Sequence, residues 1–158
     1  MPLAKIRQFL DSEKIKYRII SHSVAYTAQE IAALAHISGK TIAKTVIVKL
    51  DGKLAMTVLQ ATQLVDLDAL AVAAGAKTAD LATEREFSAA FPDCDLGAMP
   101  PFGNLYGMPV FVSEALARDD EIAFNACSHT ELIRLAFSDF ERVVKPRIVH
   151  LERTPTPR

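Results

Sequence analysis

Lys44 stands directly before Thr45-Val46-Ile47-Val48, a β-branched run with the composition of a buried strand. An ammonium at the mouth of such a strand can point into a pocket. There it would stabilise a carboxylate, a phosphate or a carbonyl oxygen that gains negative charge. The same side chain can instead lie along the surface with its head in water. The second feature is Gly97-Ala98-Met99-Pro100-Pro101-Phe102-Gly103. Its glycines allow close backbone approach, and its prolines remove amide donors and stiffen the chain. Such a loop can present fixed carbonyls and amides to a ligand, or simply be a rigid turn. The histidines, His22, His36, His129 and His150, share no metal-binding spacing, and neither Cys94 nor Cys127 adds a C-x-x-C. No metal site is expected. Cys127-Ser128-His129 places a thiol near a base, but side chains this close in sequence rarely face each other, and small buried cysteines are common. Gly39-Lys40-Thr41 has the ending of a phosphate-binding loop, yet position 34, where its first glycine belongs, is Leu34.

The elements that must position these residues follow from periodicity. Leu3, Ile6 and Leu10 predict a helix over about 2–14. Tyr17 to Ile20 is a short strand. Thr27 and Glu30 have the spacing of a capping box, and Ile31, Leu34 and Ala35 give the following helix an apolar face that ends by Gly39. Thr45 to Leu50 and Leu54 to Leu59 flank Asp51-Gly52 and read as a hairpin. Asp66 and Gly75 bracket another helix, and Thr83 with Glu86 opens a short one. Residues 93–109 form a long structured loop. Val110 to Val112 and Ile122 to Phe124 are strands. Ser128 and Glu131 suggest a third capping box ahead of a helix through Leu132, Ile133 and Leu135. Ser138 and Glu141 start a last helical turn. Residues 148–158, ending Thr154-Pro155-Thr156-Pro157-Arg158, are expected to be a flexible tail. Strands alternating with helices, with a hairpin among them, predict a mixed-sheet α/β or α+β fold.

The chain has 158 residues, 50% of them hydrophobic, which suits one domain over 1–158 and excludes disorder. Formal net charge is −1, which excludes a globally basic nucleic-acid binder but leaves room for a local patch. Arg142, Lys145, Arg147, Arg153 and Arg158, with Lys40, Lys44, Lys49 and Lys53, could form one if they converge; a dispersed, solvated set is the commoner arrangement. No apolar run approaches the roughly 20 residues of a membrane span, and no signal-peptide core follows Met1. A cytoplasmic location is expected.

Lys44-Thr45-Val46-Ile47-Val48, the Asp51-Gly52 hairpin and the Gly97 to Gly103 loop, in this order and spacing, resemble the YbaK/ProX family. These are free-standing relatives of the editing domain inserted in bacterial prolyl-tRNA synthetase. The likeness runs from about His22 to Phe140 and takes in Thr27, Glu30 and Phe124-Asn125-Ala126. It implies a mixed, partly barrel-like sheet flanked by helices. It implies hydrolysis, in trans, of an amino acid wrongly attached to the 3′ end of tRNA, with no metal and no cofactor. The substrate's acceptor end would be the partner, with an aminoacyl-tRNA synthetase as a further one. The family's lysine maps onto Lys44 and its G-x-x-x-P loop onto Gly97 through Pro101, giving Lys44, Gly97 and Pro101 as catalytic candidates. His22, Thr45, Ala98, Met99, Pro100, Phe102, Asn125 and His129 are candidates for substrate binding. Two places depart from the family pattern: Cys127 follows Ala126 where many relatives have glycine, and Met99-Pro100 replaces smaller, serine-containing loops. Both bear on which amino acid is removed. A non-catalytic module binding tRNA or a synthetase, and a hydrolase of small esters, are the alternative readings.

Overall fold

The computed structural model describes residues 2–21, 41–92, 94–95 and 97–155. His22, His36, the Thr27–Glu30 box and the helix expected after it lie outside them. Among the described residues α1 spans Pro2–Ser12 and β1 Tyr17–Ser21. The hairpin follows as β2, Ala43–Leu50, and β3, Lys53–Gln60. Asp51 and Gly52 both have positive φ, 50° and 82°, as a two-residue hairpin turn with the twist of its strands requires. The Asp51 carboxylate also accepts from the amides of Lys77 and Thr78, each at 2.9 Å, which fastens the turn to those residues.

After β4, Leu64–Val65, comes α2, Leu67–Ala74. Asp66 caps its start by accepting from the Ala69 amide, and Gly75 ends it in the left-handed region. Strand β5, Ala79–Leu81, leads to α3, Glu84–Phe87, which opens with the expected reciprocal Thr83–Glu86 capping box. Strand β6, Val110–Ser113, precedes α4, Glu114–Ala117. Then come β7, Glu121–Asn125, β8, Glu131–Ala136, α5, Phe137–Val144, β9, Arg147–Val149, and β10, Glu152–Arg153.

The strands form a five-stranded sheet ordered β5-β2-β3-β6-β9, a three-stranded sheet β1-β8-β7 and the pair β10-β4. The large sheet is mixed: β2 pairs antiparallel with β3 and β5, while β3–β6 and β6–β9 are parallel. A parallel bridge between Ile42 and Ala123 joins it to the small sheet. One core lies between the sheets and α1, α4 and α5, and includes Ile6, Leu10, Met56, Val58, Val112, Phe124 and Phe140. A second covers the other face of the large sheet, where Leu70 of α2 meets Val48, Ala55, Leu59, Phe111 and Leu151. Alternation along β6 divides the two, with Val110 and Val112 in the first and Phe111 in the second.

Two expectations are corrected. Residues 131–136 are a strand, not a helix. The run Glu131-Leu132-Ile133-Arg134-Leu135 is too short to fix its own period, and it gains a partner on each edge, β1 and β7. The Ser128 hydroxyl accepts from the Thr130 amide at 3.4 Å in a local turn instead of capping a helix. The chain beyond residue 147 is also not a free tail as far as it is described. Strand β9 completes the large sheet, β10 pairs with β4, and Leu151 between them is fully buried. No helix among the described residues is long and apolar enough to cross a membrane.

Candidate active site

The bridge at Ile42 and Ala123 is where the candidate residues gather. It is parallel, and Ala123 also donates its amide to the Thr41 carbonyl at 3.1 Å. Two residues further along in the same direction come Lys44 on β2 and Asn125 on β7. Period-two alternation puts both on the side of the bridging residues. Asn125 is the last residue of β7, and its Oδ1 is buried without a hydrogen-bond partner among the described residues. Lys44 is half-buried, and burial pulls its pKa below the ordinary lysine value while the Glu152 carboxylate acts in the opposite sense. The bridge register thus puts a partly buried cation and an unused acceptor at corresponding positions of β2 and β7.

Beyond Asn125 the chain packs against the Gly97 loop. The Asp95 amide donates to the Cys127 carbonyl, and the Cys127 amide donates to the Ala98 carbonyl, both at 2.9 Å. The Cys94 and Cys127 sulfurs are bonded, with their Cα atoms 4.3 Å apart. Sequence spacing could not pair these two cysteines, which are 33 residues apart. Cys127 has φ 69°, a left-handed conformation that costs a non-glycine residue roughly 1–2 kcal/mol. That is the conformation a glycine at this position would adopt freely. The His129 ring stands over Gly97, where a Cβ would lie 3.6 Å from its Cε1. Gly97 itself has φ 87° and is exposed.

The loop's own donors are partly engaged. The Gly97 amide donates to the Met99 sulfur at 3.2 Å, and the Ala98 amide to the Asp95 carbonyl at 3.0 Å. A thioether is a weak acceptor, so the first amide is the easier to redirect. Ala98, Met99, Pro100 and Pro101 are buried, and Phe102 is wholly inside. The Phe102 ring meets Phe124 at 5.3 Å, Phe9 at 5.8 Å and Phe140 at 5.9 Å. It anchors the loop to the core and offers no face to a ligand. Thr45 is half-buried on β2, on the opposite side from Lys44. The structure therefore brings together Gly97, Ala98, Met99 and His129, and puts Lys44 and Asn125 at corresponding positions beyond the Ile42–Ala123 bridge. Phe102 and Thr45 are turned elsewhere, and His22 lies outside the described residues.

Lys40 and Arg158 lie outside the described residues, and among those described the candidate basic side chains do not converge. Lys49 pairs with Glu86 at 2.6 Å, and Arg142 reaches Asp139 and Glu13. Arg147 stacks over Phe111 and donates to the Ala73 carbonyl. Arg153 lines a cavity of about 210 Å³ with Arg118, His150, Gln63 and Glu152. Of its lining residues, Glu152 also acts on Lys44.

Comparison with known proteins gives this arrangement its context. The sequence profile of the aminoacyl-tRNA editing domain matches residues 22–143. The chain is 28% identical over 151 residues to the multifunctional Ser/Thr-tRNA deacylase ProXp-y of Escherichia coli strain K12, covering 92% of this chain and 89% of that protein. Among solved structures it superposes on the hypothetical protein APE2540 with a TM-score of 0.85 at 17% identity, over 94% of this chain and 99% of that one. It also superposes on a protein described as a candidate trans-editing enzyme for prolyl-tRNA synthetase, with a TM-score of 0.82, 17% identity and coverage of 96% and 97%. These two likenesses establish the mixed α/β fold.

Proposed function

The chain belongs to the aminoacyl-tRNA editing domain family, and from that premise we propose that Lys44 and the Gly97 loop carry its aminoacyl-tRNA deacylase chemistry. The substrate is an aminoacyl ester at the 3′ end of a tRNA. Such an ester is already activated, so no covalent nucleophile is needed. The protein has to place a water, stabilise the oxyanion and select the side chain.

Lys44 supplies positive charge where water is partly excluded, and there a charge stabilises a developing oxyanion more strongly than in solvent. Asn125 accepts a hydrogen bond through Oδ1, from the attacking water or from the substrate's α-amino group. The Gly97 amide exchanges the Met99 sulfur for a substrate oxygen, a stronger acceptor. His129 and the buried Ala98–Pro101 segment bound the space for the amino-acid side chain. The terminal adenosine hydroxyl that does not carry the ester helps to hold the water. A synthetase that delivers the tRNA is a further partner on this reading.

What supports the assignment most is the parallel bridge at Ile42 and Ala123, with Lys44 and Asn125 one step beyond it. The test is a panel of misacylated tRNAs incubated with the wild-type protein and with Lys44→Ala. Selective ester loss that disappears in the variant, at unchanged thermal stability, is the expected result. Equal rates from both proteins would remove Lys44 from the chemistry.

A further inference from the structure

The Cys94–Cys127 pair ties together the two segments that form the loop side of the site. Gly97 lies three residues after Cys94, and His129 two residues after Cys127. Between them run the hydrogen bonds of Asp95 and Ala98 with Cys127. Two features set this pair apart from cysteines that merely fill a core. Cys127 keeps a side chain at φ 69°, where the backbone favours glycine. The Tyr106 hydroxyl lies 3.8 Å from one sulfur and 4.0 Å from the other, close enough to donate to whichever becomes a thiolate. Access is one-sided, since Cys127 is 3% exposed while Cys94 is only partly covered.

We propose that Cys94 and Cys127 form a reversible oxidation site that sets the spacing between Gly97 and His129 and thereby the selectivity of the pocket. The proposal rests on the deacylase reading of that pocket. The chemistry is thiol–disulfide exchange with a low-molecular-weight disulfide. The Cys94 thiolate attacks the external disulfide, forming a mixed disulfide and releasing one small thiolate. The Cys127 thiolate then attacks the Cys94 sulfur and releases the second. One external disulfide is reduced to two thiols as the protein dithiol is oxidised. A small dithiol reverses the sequence, entering at the more accessible Cys94. In the dithiol state the sulfurs must stand at non-bonded distance. With the bond broken, nothing covalent holds their Cα atoms at 4.3 Å, and the two segments are free to part. A wider pocket discriminates less between side chains that differ by one methyl group. Lys44, on the other side of the site, is left in place.

The experiment uses the full chain, equilibrated with glutathione disulfide or with dithiothreitol. Free thiols are counted by maleimide mass shift. Deacylation of seryl- and threonyl-tRNA is measured in each state, beside Cys94→Ser and Cys127→Gly. The expected result is no reactive thiol after oxidation and two after reduction. The ratio of kcat/KM for the two substrates should fall by about threefold or more on reduction. Both variants should hold the reduced-state ratio under either treatment. Cys127→Gly suits the observed φ, so it guards against a variant that fails to fold. Two reactive thiols in oxidant, or one ratio in both states, would overturn the proposal. If neither substrate is hydrolysed in either state, the deacylase reading fails on its own account. Hydrogen exchange then decides the switch: the Asp95 and Cys127 amides must lose protection on reduction, and unchanged protection refutes it.

Discussion

The lysine side and the loop side of the site are built in opposite ways. Lys44 sits on β2, which is hydrogen-bonded on one edge to the whole of β3 and on the other to β5. Its position is set by strand register, and register is held by the turn at Asp51-Gly52 and by two hydrophobic faces. Gly97 sits on a loop with no ladder of its own. Its position comes from below through Phe102 and from the side through Cys127 and His129. The strand side is therefore rigid and generic, as electrostatic stabilisation requires. The loop side is adjustable, which suits selection among similar side chains.

The difference can be broken first at Phe102. Phe102→Ala removes the ring that joins the loop to three other aromatics, at a cost of about 3–5 kcal/mol in stability. Urea unfolding should show that loss in the midpoint. Deacylation remaining at temperatures below the new transition should show weakened substrate selection before weakened chemistry.

Lys44→Ala acts on the other side. A loss of about 10²–10³ in kcat is expected, of the size found for removing an oxyanion stabiliser, with stability nearly unchanged. The pH profile sharpens the point. Burial lowers the Lys44 pKa, so the active ammonium should be lost as pH rises through a midpoint below the free-lysine value of 10.5. Rates corrected for spontaneous ester hydrolysis would reveal it. A midpoint at or above that value would contradict a partly desolvated cation.

Gly97→Ala is a smaller perturbation. The added Cβ would be in ordinary contact with His129 at 3.6 Å, so crowding is not the cost. The cost is φ 87°, roughly 1–2 kcal/mol in stability. Thermal unfolding should register it, with KM rising more than kcat falls.

The smallest effect belongs to Glu86 of α3, the partner of Lys49 at the far end of β2. The hydrogen bond from Lys49, joined by the Thr83 amide, holds its pKa down to about 2 from an ordinary 4.5. A depressed carboxyl pKa contributes stability above the unfolded-state value, and that contribution is lost as pH falls from about 4.5 to about 2. Glu86→Ala should flatten stability over that window and leave neutral-pH activity untouched. Acid titration followed by circular dichroism checks this.

Much of this was legible in the residues. The Asp51-Gly52 hairpin, the Asp66 to Gly75 helix and the Thr83–Glu86 box each carry local signals whose physics is local. Lys44 and Gly97 stood out as candidates through the family resemblance, since spacing alone left each an equally good surface lysine or rigid turn. Segment 131–136 was misread because a six-residue apolar run takes its conformation from its partners. The order of β9 and β10 was missed because Leu151, between them, is buried by contacts far away in sequence. The union of Cys94 with Cys127 lay beyond spacing altogether, since it depends on how two loops cross.

The last strands also set a schedule for the chain's synthesis. Strand β6 cannot gain its second parallel neighbour until residues 147–149 have left the ribosome, and β4 waits for 152–153. Until then the nascent chain presents one open edge of Val110–Ser113, every residue of it apolar or small. Completion of the sheet thus waits for the emergence of residues 147–153. A chain lacking residues 147–149 would expose a strand edge that invites chaperones or other chains, which makes β9 the sheet's own safeguard against premature association.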